Sequence, residues 1–126
     1  MHRRGDAANE GLLDAVAIAV IVTDPSGIVT DWNESAHRLF GWNATEALGR
    51  RITELNVPAD STDDAAALMA SVVAGAEWSG EIECHRIDGS SVWTHTTLTP
   101  LIADDEVIGI VGSSVDVSQH RSSAIR

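Results

Sequence analysis

"VIVTDPSGIVTDWNESAHRLFGW", residues 20 to 42, decides the fold. Two β-branched, apolar runs flank Asp24-Pro25-Ser26-Gly27. Proline at the second turn position and glycine at the fourth are the chemistry of a type I turn. The stretch therefore predicts a hairpin, with strands over roughly Ala17 to Thr23 and Ile28 to Trp32. Asn33 then predicts a helix N-cap, with Glu34 in the first turn, where the helix dipole favours an acid. Ala36, Leu39 and Phe40 fall at i, i+3, i+4 and give that helix one apolar stripe. Gly41 suits the left-handed position that ends it. Trp32 and Trp42 bracket the helix, in a chain with four tryptophans, one phenylalanine and no tyrosine. The question they raise is whether the segment is the rim of a binding site or the lid of a small core. As a cap, Asn33 needs no ligand to explain it.

Downstream the periodicity changes twice. "NATEALGRRITEL", residues 43 to 55, predicts a second short helix, capped by Asn43 with Glu46 three residues on and stopped at Gly49. "NVPADS" reads as a loop. The longest helical pattern is "TDDAAALMASVVAGAEW", residues 62 to 78, with Ala65, Leu68, Met69, Val72 and Val73 on one side. Strands follow. "EIECHRI" alternates, Glu81, Glu83 and His85 on one face and Ile82 and Cys84 on the other. "DGS" turns the chain into "SVWTHTTLTPLI", and "ADDE" turns it again into "VIGIVGSSVDV". A hairpin, several short helices and a three-stranded meander make an α+β layout, one antiparallel sheet covered on one face by helices.

The 126 residues suffice for one domain with a real core. The expected division is an N-terminal arm over 1–11, the domain over 12–118 and the start of an exit linker over 119–126. Net charge is -11, and all eight basic residues are arginine. Such a surface repels phosphate backbones and anionic membrane, so neither nucleic acid nor membrane is an expected partner. Cys84 is the only cysteine, which rules out an intrachain disulfide. "MHRRGDAANEG" lacks the apolar core of a signal peptide. The longest apolar run, Ala15 to Val22, is far shorter than a membrane span. A cytoplasmic protein is expected. No base, nucleophile or metal cluster stands at recognisable spacing, so no enzyme and no metal site are expected. Asp24 and Asp31 are accounted for by the turn and the strand end.

Four stretches together resemble the PAS domain, the sensor module of signalling proteins. "VIVTDPSGIVTDWNESAHRLFGW" looks like that family's opening hairpin and first helix. "TEALGRRITEL" looks like its helix pair. "WSGEIECHRIDGSSVWTHTTLTPL" looks like its central hairpin, and "VIGIVGSSVDVSQHR" like its last strand and exit motif. The resemblance implies a five-stranded antiparallel sheet of order 2-1-5-4-3 and a pocket between its inner face and the helices. It implies a regulatory module that senses or dimerises, a homodimer, and an effector beyond residue 126: a histidine kinase, a cyclic-di-GMP enzyme or a phosphatase. It also implies that Asp116 and Ser118, in "DVSQHR", fix the last strand to the segment that leaves the domain.

Relatives in that family hold haem, flavins, organic acids or lipids, or nothing. The reactive cysteine of the flavin photosensors is missing, since "GRRITEL" carries none, and Cys84, Thr94 and Ser114 stand where amides read the flavin ring. The long helix has no histidine for haem; His85 and His95 lie on strands. Pairing Cys84 with Thr94 turns Ile82, Cys84, Val92, Thr94, Thr96 and Leu98 inward. It sets Glu83 opposite His95 and His85 opposite Trp93 on the outer face. The expected pocket lining is then Ile21, Thr23, Phe40, Leu68, Val72, Cys84, Thr94, Thr96 and Ser114. Such a wall suits a small apolar ligand, fatty-acid-like, or is simply a packed core. Trp93, with Leu12 and Leu13, is the expected interface. A ligand-free interaction scaffold is the alternative function.

Overall fold

A computed structural model of the chain describes residues 18–118. The elements run β1 (Ala19–Thr23), β2 (Val29–Trp32), α1 (Glu34–Phe40), α2 (Ala44–Ala47) and α3 (Ile52–Leu55). A 3₁₀ turn (Ala59–Ser61) leads into α4 (Thr62–Val73), followed by β3 (Trp78–His85), β4 (Ser91–Ala103) and β5 (Glu106–Asp116). All five strands form one antiparallel sheet of order β2-β1-β5-β4-β3. The α+β layout and the strand order are those expected. The expected arm (1–11), with Leu12 and Leu13, and the exit segment (119–126) lie outside the described residues. Among the described residues no helix is long and apolar enough to cross a membrane.

The opening hairpin closes through Asp24. Its backbone brackets the turn, Gly27 N–H donating to Asp24 C=O at 3.0 Å and Asp24 N–H to Ile28 C=O at 2.8 Å. Its carboxylate accepts from Ser26 N–H, Ser26 Oγ–H and Ile28 N–H. These bonds favour the charged form, the Ser26 hydroxyl most and the Ile28 amide next, and hold Asp24 below its ordinary value of 3.8.

Asn33 does more than cap α1. Its Oδ1 accepts from Ala36 N–H at 2.9 Å and also from Val20 N–H at 3.0 Å. Its Nδ2 donates to Ile18 C=O at 3.1 Å. One amide thus starts the helix and prolongs the β1–β2 ladder. Gly41 ends α1 with φ +92°, and a side chain there would run into Ile87. That close approach lets Ile87 N–H donate to Phe40 C=O at 2.8 Å, tying the β3–β4 turn to the end of α1.

The stretch 43–55 forms two single-turn helices instead of one. The Asn43–Glu46 capping box is complete, with bonds of 2.8 and 2.9 Å. After it the chain runs beside β2 and satisfies that edge. Gly49 N–H donates to Val29 C=O and Val29 N–H to Arg50 C=O, each at 2.9 Å. The strand edge's need for partners overrides continued helix here.

The β3–β4 register differs from the expected one by two residues. Cys84 pairs with Val92, Ile82 with Thr94, Glu83 with Trp93 and Glu81 with His95. The faces are unchanged, because side chains alternate with period two and an even shift preserves them. The turn sets the register. Residues 87–89 form a three-residue loop in which Gly89 adopts φ +86° and Arg86 N–H donates to Ser90 C=O at 2.9 Å. Asp88 accepts from the Ser90 amide and hydroxyl and locks it. β3 also begins at Trp78, earlier than the alternation suggested, because Trp78–Gly80 continue the ladder opposite Leu98–Thr96.

The core lies between the hairpin strands and α1: Ala19, Ile21, Val29, Trp32, Ala36 and Phe40, continued by Ala47, Leu55, Cys84 and Val92. Trp32 and Phe40 meet with ring centroids 6.0 Å apart at 53°. Full burial of a side chain such as Phe40 is worth about 1.5–3 kcal/mol. β5 passes β1 closely at Gly109, where a side chain would collide with Thr23 C=O.

Candidate functional site

Between the inner sheet face and α4 lies a cavity of about 480 Å³. Its cause is side-chain size. The sheet contributes Thr23, Thr96, Gly112 and Ser114, and α4 contributes Ala65 beside Leu68 and Met69. Small residues on both walls leave space that the larger ones do not fill. Ile52, Asn56, Val57 and Pro58 close one side, and Trp78, Ile82 and Leu98 the other. The wall is mostly apolar with a few polar groups, and the volume falls in the small-molecule range of roughly 300–1,000 Å³.

The polar groups on the sheet are linked. Thr94 Oγ1 lies 2.8 Å from Thr96 Oγ1, which lies 2.6 Å from Ser114 Oγ. Cys84 Sγ lies 3.7 Å from Thr94 Oγ1 at the other end. These four side chains cross β3, β4 and β5. Burial pushes the Cys84 thiol above its ordinary value, opposed by the Thr94 hydrogen bond and reinforced by the nearby Glu83 charge. Cys84 is therefore a neutral thiol and a small core residue as much as a wall residue.

The structure brings Ile21, Thr23, Leu68, Cys84, Thr96 and Ser114 together in the cavity wall. Phe40, Val72 and Thr94 lie elsewhere, each 0 % exposed. Phe40 packs on Trp32, and Thr94 sits in the hydroxyl file below the surface. Sequence reasoning did not assign Ile52, Asn56, Val57, Met69, Trp78 or Ile110 to the wall. Met69 carried a signal, its place on the apolar side of α4. Asn56 and Val57 carried none, since their position depends on how α3 docks.

The two bracketing tryptophans form a clasp. Trp32 Nε1–H donates to Trp42 C=O at 2.8 Å, and Trp42 Nε1–H donates to Leu55 C=O at 3.0 Å. Arg50 lies over the Trp42 ring, 4.8 Å from its centroid. The segment 31–42 is thus the lid of the core, and Trp42 pins α3 beside the cavity.

At the far end of β5, Ser118 N–H donates to Asp116 Oδ1 at 2.8 Å. Ser118 Oγ accepts from Trp93 N–H at 3.1 Å, and Val117 N–H donates to Trp93 C=O at 2.9 Å. Arg86 reaches Asp116 at 3.7 Å. Asp116 and Ser118 therefore tie the chain leaving β5 to β4 and to the β3–β4 turn. Trp93 is half-buried at this tie; the strand alternation puts it on the outer face, yet it and its β3 partner Glu83 are also among the residues lining the cavity, so the expected outer-face assignment of Trp93 does not hold in full. Among the described residues, no group of three or more His, Cys, Asp or Glu is placed to hold a metal ion.

Comparison with known proteins bears on this arrangement. The family model described as PAS domain matches residues 16–119. Over 117 residues the chain is 29 % identical to the Two-component system protein A of Emericella nidulans, matching 89 % of this chain and 17 % of that protein. It is also 29 % identical to a Blue-light-activated histidine kinase of Rhizobium johnstonii, matching 91 % of this chain and 36 % of that protein. The chain thus spans well under half the length of either relative. The crystal structure of a PAS domain from Colwellia psychrerythraea superposes with a TM-score of 0.78 at 27 % identity, over 90 % of this chain and 97 % of that one. A PAS domain of an HTR-like protein from Haloarcula marismortui shares the fold, with a TM-score of 0.73 at 21 % identity, over 90 % and 93 % of the two chains.

Proposed function

The chain belongs to the PAS domain family, and on that premise we propose that it is the sensory module of a larger signalling protein. It holds a small ligand in the cavity beneath α4 and passes the occupied state along β5 to an effector beyond residue 126. The observation that carries this reading is the cavity of about 480 Å³, with its buried hydroxyls on the sheet wall. The Asp116–Ser118 tie supports a route out, because it joins the end of β5 to the neighbouring strand.

A histidine kinase is one effector of the expected kind, by analogy with the Rhizobium relative's name; a cyclic-di-GMP enzyme and a phosphatase are the others. The light activation in that name is not carried over. The segment after Gly49, "GRRITEL", holds no cysteine, and Cys84 stands on a strand. No catalytic step is assigned to this domain, and a cytoplasmic setting is part of the proposal. So is a homodimer through the outer sheet face around Trp93, with Leu12 and Leu13.

A second reading, a ligand-free dimerisation scaffold, draws on the β4–β5 hairpin. Leu101, Ile102 and Ile108 are exposed there by 38 %, 58 % and 49 %. Native mass spectrometry of freshly purified protein decides between the two. The sensory reading expects an added mass that leaves on denaturation and is absent from Thr96→Phe, which fills the cavity. A bare mass, with dimer lost on Ile102→Lys, would favour the scaffold.

A further inference from the structure

The cavity has a polarity that restricts its occupant. Among its described lining residues, Asp64 and Glu83 are the charged side chains, and both are acidic. Both are also exposed, so they stand where the cavity meets solvent. No arginine or histidine joins them among those residues. The chain as a whole carries a net charge of -11. An anion entering here meets like charge at the opening and then loses its hydration with no cation to replace it.

Deeper in, the polar groups are neutral. Asn56 lines the cavity and is 9 % exposed. Its backbone is engaged, N–H to Ile52 C=O and C=O from His85 N–H. Its side-chain amide has no hydrogen-bond partner among the described residues. Its amide atoms are not sealed away, since Arg86 Nε is the buried unpartnered side-chain atom among the described residues, so the amide stands open to hydrogen-bond a molecule in the cavity it lines. Across the cavity stand the Thr96 and Ser114 hydroxyls. An amide and hydroxyls can each donate and accept, so together they recognise a neutral polar group without demanding a charge. Leu68, Met69, Trp78 and Ile110 provide the apolar remainder.

We propose that the cavity takes an uncharged, mainly apolar small molecule with a neutral hydrogen-bonding head, held by the Asn56 amide and the Thr96–Ser114 hydroxyls, and that it rejects carboxylates and phosphates. This inference rests on the sensory reading of the same cavity. It replaces a fatty acid, ionised near neutral pH, with a neutral amphiphile of similar body.

A matched pair of probes tests it. Calorimetric titration of the full chain with 1-decanol and with decanoate, near neutral pH and below micelle formation, compares one tail with two heads. The expected result is decanol binding at least about tenfold more tightly, the scale of a charged group buried without a partner. Asn56→Leu should weaken decanol about tenfold. Asp64→Asn with Glu83→Gln should narrow the gap by strengthening decanoate. Thr96→Val, an isosteric change on the opposite wall, should weaken decanol as well and serves if Asn56→Leu does not fold. Equal or tighter binding of decanoate would overturn the inference and leave an open sensory cavity standing. Binding of neither probe would overturn the inference, while the sensory reading stands or falls with the native mass spectrum. Decanol affinity unchanged in both Asn56→Leu and Thr96→Val would overturn the head-group assignment.

Discussion

Asn33 shows how one side chain can serve two elements. As a cap alone it would be worth about 1 kcal/mol. Its bonds to Val20 N–H and Ile18 C=O add strand partners that would otherwise be left unmatched. Asn33→Ala should therefore cost about 2–4 kcal/mol, the cap plus about 1–3 for the abandoned groups. Asn33→Asp keeps both acceptor bonds and loses only the donor to Ile18, so its loss should be smaller. Urea unfolding of the two variants checks the order; equal losses would leave the two acceptor bonds, to Ala36 N–H and Val20 N–H, without weight. Asp24 makes a prediction in pH. Its folded-state value lies below 3.8. Its contribution is thus present above 3.8 and is lost as pH falls through the lower folded value. The stabilities of wild type and Asp24→Ala should differ near neutrality and converge in acid, as read from urea midpoints across pH.

At the scale of elements, what was legible in the sequence is what is local. The Asp24–Gly27 turn, the Asn33 and Asn43 caps and the Gly41 stop each depend on a few adjacent residues, and those residues name them. The register of β3 against β4 does not. Alternation assigned Cys84 and Thr94 to the inner face, yet a two-residue slip keeps that assignment. Only the three-residue loop ending at Gly89 distinguishes the two pairings. The cavity wall was legible on the sheet side for the same reason, since Thr96 and Ser114 follow from alternation. Asn56 and Trp78 escaped because their neighbours are distant in sequence. The β4–β5 turn offers a prediction of its own. Asp104 and Asp105 both adopt positive φ, 51° and 65°, the backbone of a type I′ turn. Glycine suits the second position without steric cost. Asp105→Gly should raise stability by about 0.5–1 kcal/mol, measured by urea unfolding; a loss would mean that the aspartate's own interactions outweigh its backbone strain.

For the whole molecule, the proposed sensory role makes the tie at the end of β5 the expected route for a signal. Arg86 comes from the β3–β4 turn, Trp93 from β4, and Asp116 and Ser118 from the chain beyond the cavity's Ser114. On the proposed sensory reading, movement of β4 or β5 would reach that junction. Asp116→Ala removes the anchor for Ser118 N–H and the partner of Arg86, both on an exposed carboxylate, so the expected stability loss is small, about 1 kcal/mol. The expected loss of coupling is larger. In a fusion to a histidine kinase, the variant should bind ligand as wild type does while kinase output no longer follows it. Output that still follows the ligand would deny Asp116 that role.

The three buried hydroxyls have one more property. Each has a single proton to give, so a file running from Thr94 through Thr96 to Ser114 points one way or the other, and reversing one member reverses the rest. Pointed toward Ser114, the file leaves Thr94 to accept the Cys84 S–H. Pointed back, it ends on Ile82 C=O or on the sulfur itself. A molecule that gives a proton at Ser114 and one that takes a proton there would then be told apart at the other end of the file, on β3, without any atom moving far. Cys84 is the chain's one thiol, so its S–H infrared band is a clean gauge of that arrow. The band should shift in opposite senses for donor and acceptor ligands of the same shape.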